Sequence, residues 1–286
     1  MRRLLLCLAL LVATPAFGKP ALWKLADADT TIWLFGTIHV LPRAQDWHDP
    51  QLDRALDQAQ ELMLEAVLDQ DPGEVSRLLF TLGRSSGLPP LADRVPAAKR
   101  ARLAELVRKS GLPPATFDQL ESWAAAFVLT NVVLRDMGQE IGLGEGVEPQ
   151  LSQRFRAAGK PIEGLETAAE QLGYFDAMPE AGQRAFLAAT LDDASAAGAD
   201  FRTLVSAWQR GDTAAIERAF ADDPEFTPAV RDLLIRHRDQ LWADRLARRL
   251  DRPGTVFVAV GAGHLVGPDS VQAMLAKKGL TVVRVR

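Results

Sequence analysis

A long helical middle lies between two ends patterned as sheet, and both ends stop in the same way. Thr31-Ile32-Trp33-Leu34-Phe35 and Thr255-Val256-Phe257-Val258-Ala259-Val260 are short β-branched and aromatic runs. Such runs are buried strands. Each breaks off at a Gly-x-x-His signature, Gly36-Thr37-Ile38-His39 and Gly261-Ala262-Gly263-His264. In both cases an apolar residue, a proline and a helix-patterned segment follow. The echo points to a pseudo-symmetric core with two strand ends built for one purpose.

The flanking pattern extends this reading. Leu22 to Leu25 and Thr30 to Ile38 are joined by Ala26-Asp27-Ala28-Asp29, which predicts a β-hairpin. Pro42 stops the second strand, and Asp49-Pro50 opens a helix to about Gln60 with proline in the favoured first turn. Leu62-Met63-Leu64-Glu65-Ala66-Val67 is then a short strand interrupted by one carboxylate. Strand, helix, strand in that order predicts a mainly parallel sheet. From Asp71 to about Arg252 the pattern is helical and punctuated by proline and glycine, with one short strand near Pro161–Gly164. The expected fold is α/β, with a large α-helical insertion or cap (about 71–252) inside a domain spanning 19–286. A helix over Pro268–Lys277 closed by Gly279, and a last strand over Thr281–Val285, complete it.

Residues 1–18 read as an export signal. Arg2 and Arg3 precede the apolar run Leu4–Val12, and Ala16-Phe17-Gly18 offers small residues for cleavage near Gly18. The expected compartment is periplasmic or secreted. The one cysteine, Cys7, falls in this segment, so the mature chain has no thiolate for a nucleophile, disulfide or metal. No later run is apolar enough for a stable membrane span. A net charge of -4 gives no nucleic-acid footprint. A phosphate-binding glycine loop, a Gly-x-Ser-x-Gly elbow and a dinucleotide fingerprint are all missing.

Chemistry concentrates on three residues. His39 and His264 follow the C-terminal ends of strands, the edge where open parallel sheets bind ligands. Gly36 and Gly261 allow the chain to turn there and other groups to approach closely. Glu65 sits in an apolar strand, where a carboxylate needs a partner. Two histidines and a carboxylate make a hydrolytic metal set with a position open for water. His39, Glu65 and His264 are therefore both the candidate catalytic residues and the candidate ligands. Oxygen and nitrogen donors leave manganese, cobalt and zinc open. Arg238 and Trp242, four apart, share a helix face and are candidates for holding substrate or a catalytic glutamate. The alternative for Arg238 is a solvated basic face with Arg231, Arg245 and Arg249. Glu166 either orients a site group or is a helix-start carboxylate. Glu148 reads as structural, Asp69 as solvent-facing loop, and His48 and His237 as surface residues.

Trp33 to Pro42 resembles the opening motif of the TraB/GumN family, which includes the animal TIKI metal-dependent proteases. Leu64-Glu65, the segment Gly164–Leu172, Arg238-Asp239-Gln240-Leu241-Trp242 and the closing run Val258–Asp269 are similar to further motifs of that family. The resemblance covers essentially the whole mature chain. Two departures stand out: Asp239 where asparagine is usual, and Gly146-Val147-Glu148 where Gly-Ile-Asp is usual. The resemblance implies a shared hydrolytic centre built from the two Gly-x-x-His motifs and the glutamate. The leading expectation is a metal-dependent hydrolase of TIKI type acting on peptides in the periplasm. The alternatives are a non-catalytic protein that sequesters a peptide, cofactor or other small molecule, and a metal-independent hydrolase using a His/Glu pair.

Overall fold

The computed structural model describes residues 18–286, apart from 44, 69–72, 142, 193 and 223–226. The export segment with Cys7, as well as Asp69 and Pro224, falls outside the described residues, save Gly18. Eight strands run in chain order: β1 Leu22–Ala26, β2 Thr30–Thr37, β3 Val40–Pro42, β4 Glu61–Leu64, β5 Leu143–Glu145, β6 Ile162–Gly164, β7 Gly254–Gly261 and β8 Val282–Arg284. Six form one sheet in the order β6-β4-β7-β2-β1-β8. β6, β4, β7 and β2 are mutually parallel, while β1 runs antiparallel to both β2 and β8. The predicted hairpin and mainly parallel sheet are both present. The two Gly-x-x-His strands, β2 and β7, lie side by side at the centre.

The helices are α1 Pro50–Gln58, α2 Glu74–Leu82, α3 Arg100–Ser110, α4 Pro114–Asp118, α5 Ser122–Ile141, α6 Val147–Ala157, α7 Ala168–Asp176, α8 Glu180–Thr190, α9 Ala194–Gln209, α10 Thr213–Ala221, α11 Pro228–Arg231, α12 His237–Arg249 and α13 Val271–Lys277. Period-two alternation in the sheet separates two cores. Ile32, Leu34, Val256, Val258 and Val260 face Trp242, Ala243 and Leu246 of α12 and Val271, Met274 and Leu275 of α13. Phe35, Leu62, Leu64, Phe257 and Ala259 face α1, α6, α9 and α10. A third core, around Leu106, Phe117, Trp123, Leu129, Leu172 and Leu187, joins α2–α5, α7 and α8 into the cap. The helical stretch 71–252 thus divides: one part covers the sheet and the other forms a separate layer beyond the strand ends. Hydrophobic periodicity shows that a helix has an apolar face but not which partner it covers.

Several boundaries differ from the sequence reading. Pro42 is the last residue of β3, which pairs with β5, so the chain continues as strand after His39. β4 ends at Leu64, and Glu65 stands just past its end rather than inside it. The backbone bonds Leu165 N–H to Leu64 O (2.7 Å) and Glu166 N–H to Glu65 O (2.8 Å) carry the pairing with the β6 side a little further. The helix expected from Pro268 begins at Val271, because Ser270 caps it by accepting from Ala273 N–H.

Candidate functional site

At the C-terminal edge of the sheet, Glu65 is the hub. Its Oε1 accepts from Gly261 N–H at 2.6 Å. Its Oε2 accepts from Arg238 Nη2 at 2.8 Å and from Gln171 Nε2 at 3.2 Å. Arg238 is buried, not part of a solvated basic face. Its fork meets Glu166 twice, Nε to Oε2 at 3.1 Å and Nη2 to Oε1 at 2.5 Å. Trp242 Nε1 donates to the same Glu166 at 3.2 Å and its ring lies under the guanidinium, 4.7 Å from centroid to Cζ. Glu166 therefore fixes Arg238 and Trp242. The helix start after it is capped instead by Thr167 and Glu170 in a capping box.

His264 is buried against this network. Its Nδ1 lies 2.6 Å from Asp239 Oδ1, and Arg238 Nη1 reaches its Nε2 at 3.2 Å. Arginine can only donate, so Nε2 accepts in this arrangement and Nδ1 donates to Asp239. Ahead of α12, Asp232–Arg236 is π-helical. Such a bulge perturbs the usual carbonyl ladder, and Arg238 Nη1 donates to Leu234 O at 3.2 Å.

His39 approaches from the neighbouring strand end. Its Nδ1 pairs with Glu148 Oε1 at 2.7 Å, and Thr37 Oγ1 donates to the same oxygen at 2.5 Å. Glu148, expected to be structural, therefore orients a candidate site residue. Its helix, α6, is tied to the His39 loop by Val147 N–H to Ile38 O at 3.1 Å. The three candidates converge on Gly261. A Cβ placed on that glycine would lie 3.0 Å from Glu65 Oε1, 3.7 Å from His39 Nε2 and 3.7 Å from His264 Cδ2. Gly36 serves packing: a Cβ there would meet Ala262 Cα at 3.1 Å.

Charge shapes each group. Burial alone would raise Glu65, but the neighbouring His264, Arg238 and His39, with the Gly261 N–H, hold it down at about 2. Burial pushes Asp239 up to about 6 against the pull of His264. Burial likewise raises Glu166 despite its Arg238 bonds. The hydrogen bond with Glu148 raises His39 to about 9, partly offset by burial. The His39 side chain is nonetheless 69% exposed, so water screens this pair strongly. His237 is exposed, as expected. His48 is half-buried, stacked on Trp47 and 2.9 Å from Asp53, where it braces α1.

The expected metal set does not fit this arrangement. Among the described residues no group of three or more His, Cys, Asp or Glu is placed to hold an ion. Glu65 and His264 both spend donor atoms on Arg238, whose guanidinium carries the positive charge at this point. The nearest pair of ligand atoms, Glu65 Oε1 and His264 Nε2, is 3.8 Å apart. Asp239, Glu148 and Gln171 were not candidates in the sequence reading. Asp239 and Glu148 appeared there only at positions departing from a motif, and nothing in their local sequence ties them to a histidine far along the chain.

Polar groups of the site form one end of a cavity of about 940 Å³ that runs between sheet and cap. Among the described residues no helix is long and apolar enough to cross a membrane. A family model described as the TraB/PrgY/gumN family matches residues 21–284. No curated protein and no solved structure matches the chain.

Proposed function

The chain belongs to the TraB/PrgY/gumN family, and from that premise we propose that it is an exported hydrolase in which His39 is the acid–base group and Glu65, Arg238 and His264 form the fixed wall of the reacting centre. The observation carrying this reading is the convergence of His39 Nε2, Glu65 Oε1 and His264 on the Gly261 backbone. The export pattern of residues 1–18 supports action in the periplasm.

His39 is suited to move a proton. Glu148 on Nδ1 orients the ring and leaves Nε2 as the reactive nitrogen, as a carboxylate does in a catalytic triad. Neutral Nε2 takes a proton from water as the water oxygen bonds to the acyl carbon. The bond to the leaving oxygen or nitrogen then breaks, and that atom takes the proton from Nε2. The products are a carboxylic acid and an alcohol or amine. Glu65 and Arg238 hold each other still, and the cap limits bulk water.

A second reading keeps the hydrolase and adds a divalent ion. The favouring observation is that both histidines present Nδ1 to a carboxylate, the outer-shell pattern of metal-bound imidazole. His39, Glu65 and His264 would hold manganese, cobalt or zinc once Arg238 turned away. The ion would supply a bound water of lowered pKa.

Hydrolysis of a panel of nitrophenyl esters and aminoacyl anilides by the mature chain tests the leading reading. His39→Asn is expected to lower kcat/KM by on the order of 10²–10⁴-fold, with the fold retained by circular dichroism. Full turnover in that variant would sink the assignment.

A further inference from the structure

The cavity has one polar end and one apolar body. Its polar side chains come from the strand ends, the first turns of α6, Gln171 and Arg238. The rest of the wall is lined by Phe127, Phe175, Phe186, Leu204, Phe220 and Leu234, among other apolar groups. These residues lie on α5, α7, α8, α9, α10 and the π-helical turn. The volume stands at the upper end of what single-ligand sites enclose.

Those facts select among occupants. A peptide bound in the apolar body would bring a backbone N–H and C=O with every residue. The helical walls have committed their own backbone groups within helices and offer aromatic and aliphatic side chains. Each peptide group buried there without a partner would carry a desolvation cost. An unbranched hydrocarbon chain brings no such groups and gains on burial with every methylene. The polar end, by contrast, suits one carbonyl beside His39 and Glu65.

We propose that the substrate is a long-chain acyl ester or amide, with its carbonyl at the His39–Glu65 end and its hydrocarbon chain running under the cap. This rests on the hydrolase reading for the orientation of the carbonyl, and it replaces the peptide expected from sequence with a lipid-like acyl compound.

Binding can be read apart from turnover. Unbranched 2-alkanones of four to twelve carbons keep the carbonyl and chain but have no leaving group. Calorimetric titration into the mature chain is expected to show affinity rising on the order of tenfold for every two methylenes. Two variants narrow the body of the cavity. Gly182→Leu adds bulk where a Cβ would meet only Val230 Cγ2, at 3.4 Å. Ala189→Trp does the same one helix-face further along α8. Either should cut binding of the twelve-carbon ketone at least tenfold and leave the four-carbon ketone within about twofold, with thermal unfolding confirming a folded chain. Affinity that is flat with chain length, or unchanged in both variants, overturns the proposal. So does tighter binding of an apolar heptapeptide than of the twelve-carbon ketone. A nitrophenyl ester series separates the two claims. Length-dependent ketone binding without turnover of any ester refutes the hydrolase and keeps the acyl site. His39-dependent turnover indifferent to chain length refutes the acyl site and keeps the hydrolase.

Discussion

His39 and His264 end neighbouring parallel strands behind the same four-residue signature, yet their side chains are 69% and 7% exposed. The cause is register. Gly36 pairs with Val260, and Thr37 pairs with Gly261, so the two signatures are offset by one residue. On a pleated sheet an offset of one reverses the face. Gly261 therefore opens toward Glu65 and both imidazoles, whereas Gly36 lets the backbone of Ala262 approach. A repeated motif has been put to two uses: one histidine facing the cavity and one held in a buried network. Each also has its own acid, Glu148 or Asp239, from a different helix.

The buried side of this comparison should give the largest effect. Arg238→Met leaves Glu65, Glu166 and the Nε2 of His264 without their shared donor. Losing one partner of a buried ionic group is expected to cost about 3–5 kcal/mol in urea unfolding. A loss below about 1 kcal/mol would mean that the network is not closed as described.

The glycines should separate next. Gly36→Ala forces a Cβ against the Ala262 backbone, a contact that cannot yield without moving the strand end, and should cost about 1–3 kcal/mol. Gly261→Ala meets a carboxylate oxygen instead, so it should cost less stability while displacing Glu65. The reverse order of stabilities, measured by thermal unfolding, would contradict the assigned roles.

The exposed side should give the smallest effect on stability and a clear spectroscopic one. The imidazole of His39 should titrate near 9 by NMR, and Glu148→Gln should return its midpoint toward the usual 6.5. The raised value means that the pairing stabilises the fold fully below about 6.5 and loses that contribution as pH rises through about 9. Solvent screening should keep it within about 0.5 kcal/mol. A midpoint unmoved by Glu148→Gln would break the pairing.

Much of the core could be read from the sequence because it is local and periodic. The hairpin, β7, the capped start of α1 at Asp49-Pro50 and the two strand ends all follow from alternation and turn residues. Glu65, Arg238 and Trp242 were recognisable because a carboxylate beside an apolar strand, or an Arg and Trp four apart, is a local pattern. The acids that orient the histidines were hidden because that pairing is tertiary: Asp239 lies 25 residues from His264. The three-residue strands β3 and β5 carry too little pattern to announce themselves, and the π-helical turn before Arg238 has no sequence signature. Which helices cover the sheet and which form the cap depends on surfaces that periodicity does not distinguish.

The most direct test of a site organised around a guanidinium is calorimetric titration of chelator-treated mature chain with manganese, cobalt and zinc, beside His39→Asn and His264→Asn. With Arg238 placed between Glu65 and His264, wild type and both variants should give the same isotherm, without a stoichiometric site. One ion bound per wild-type chain and lost in both variants would contradict the account.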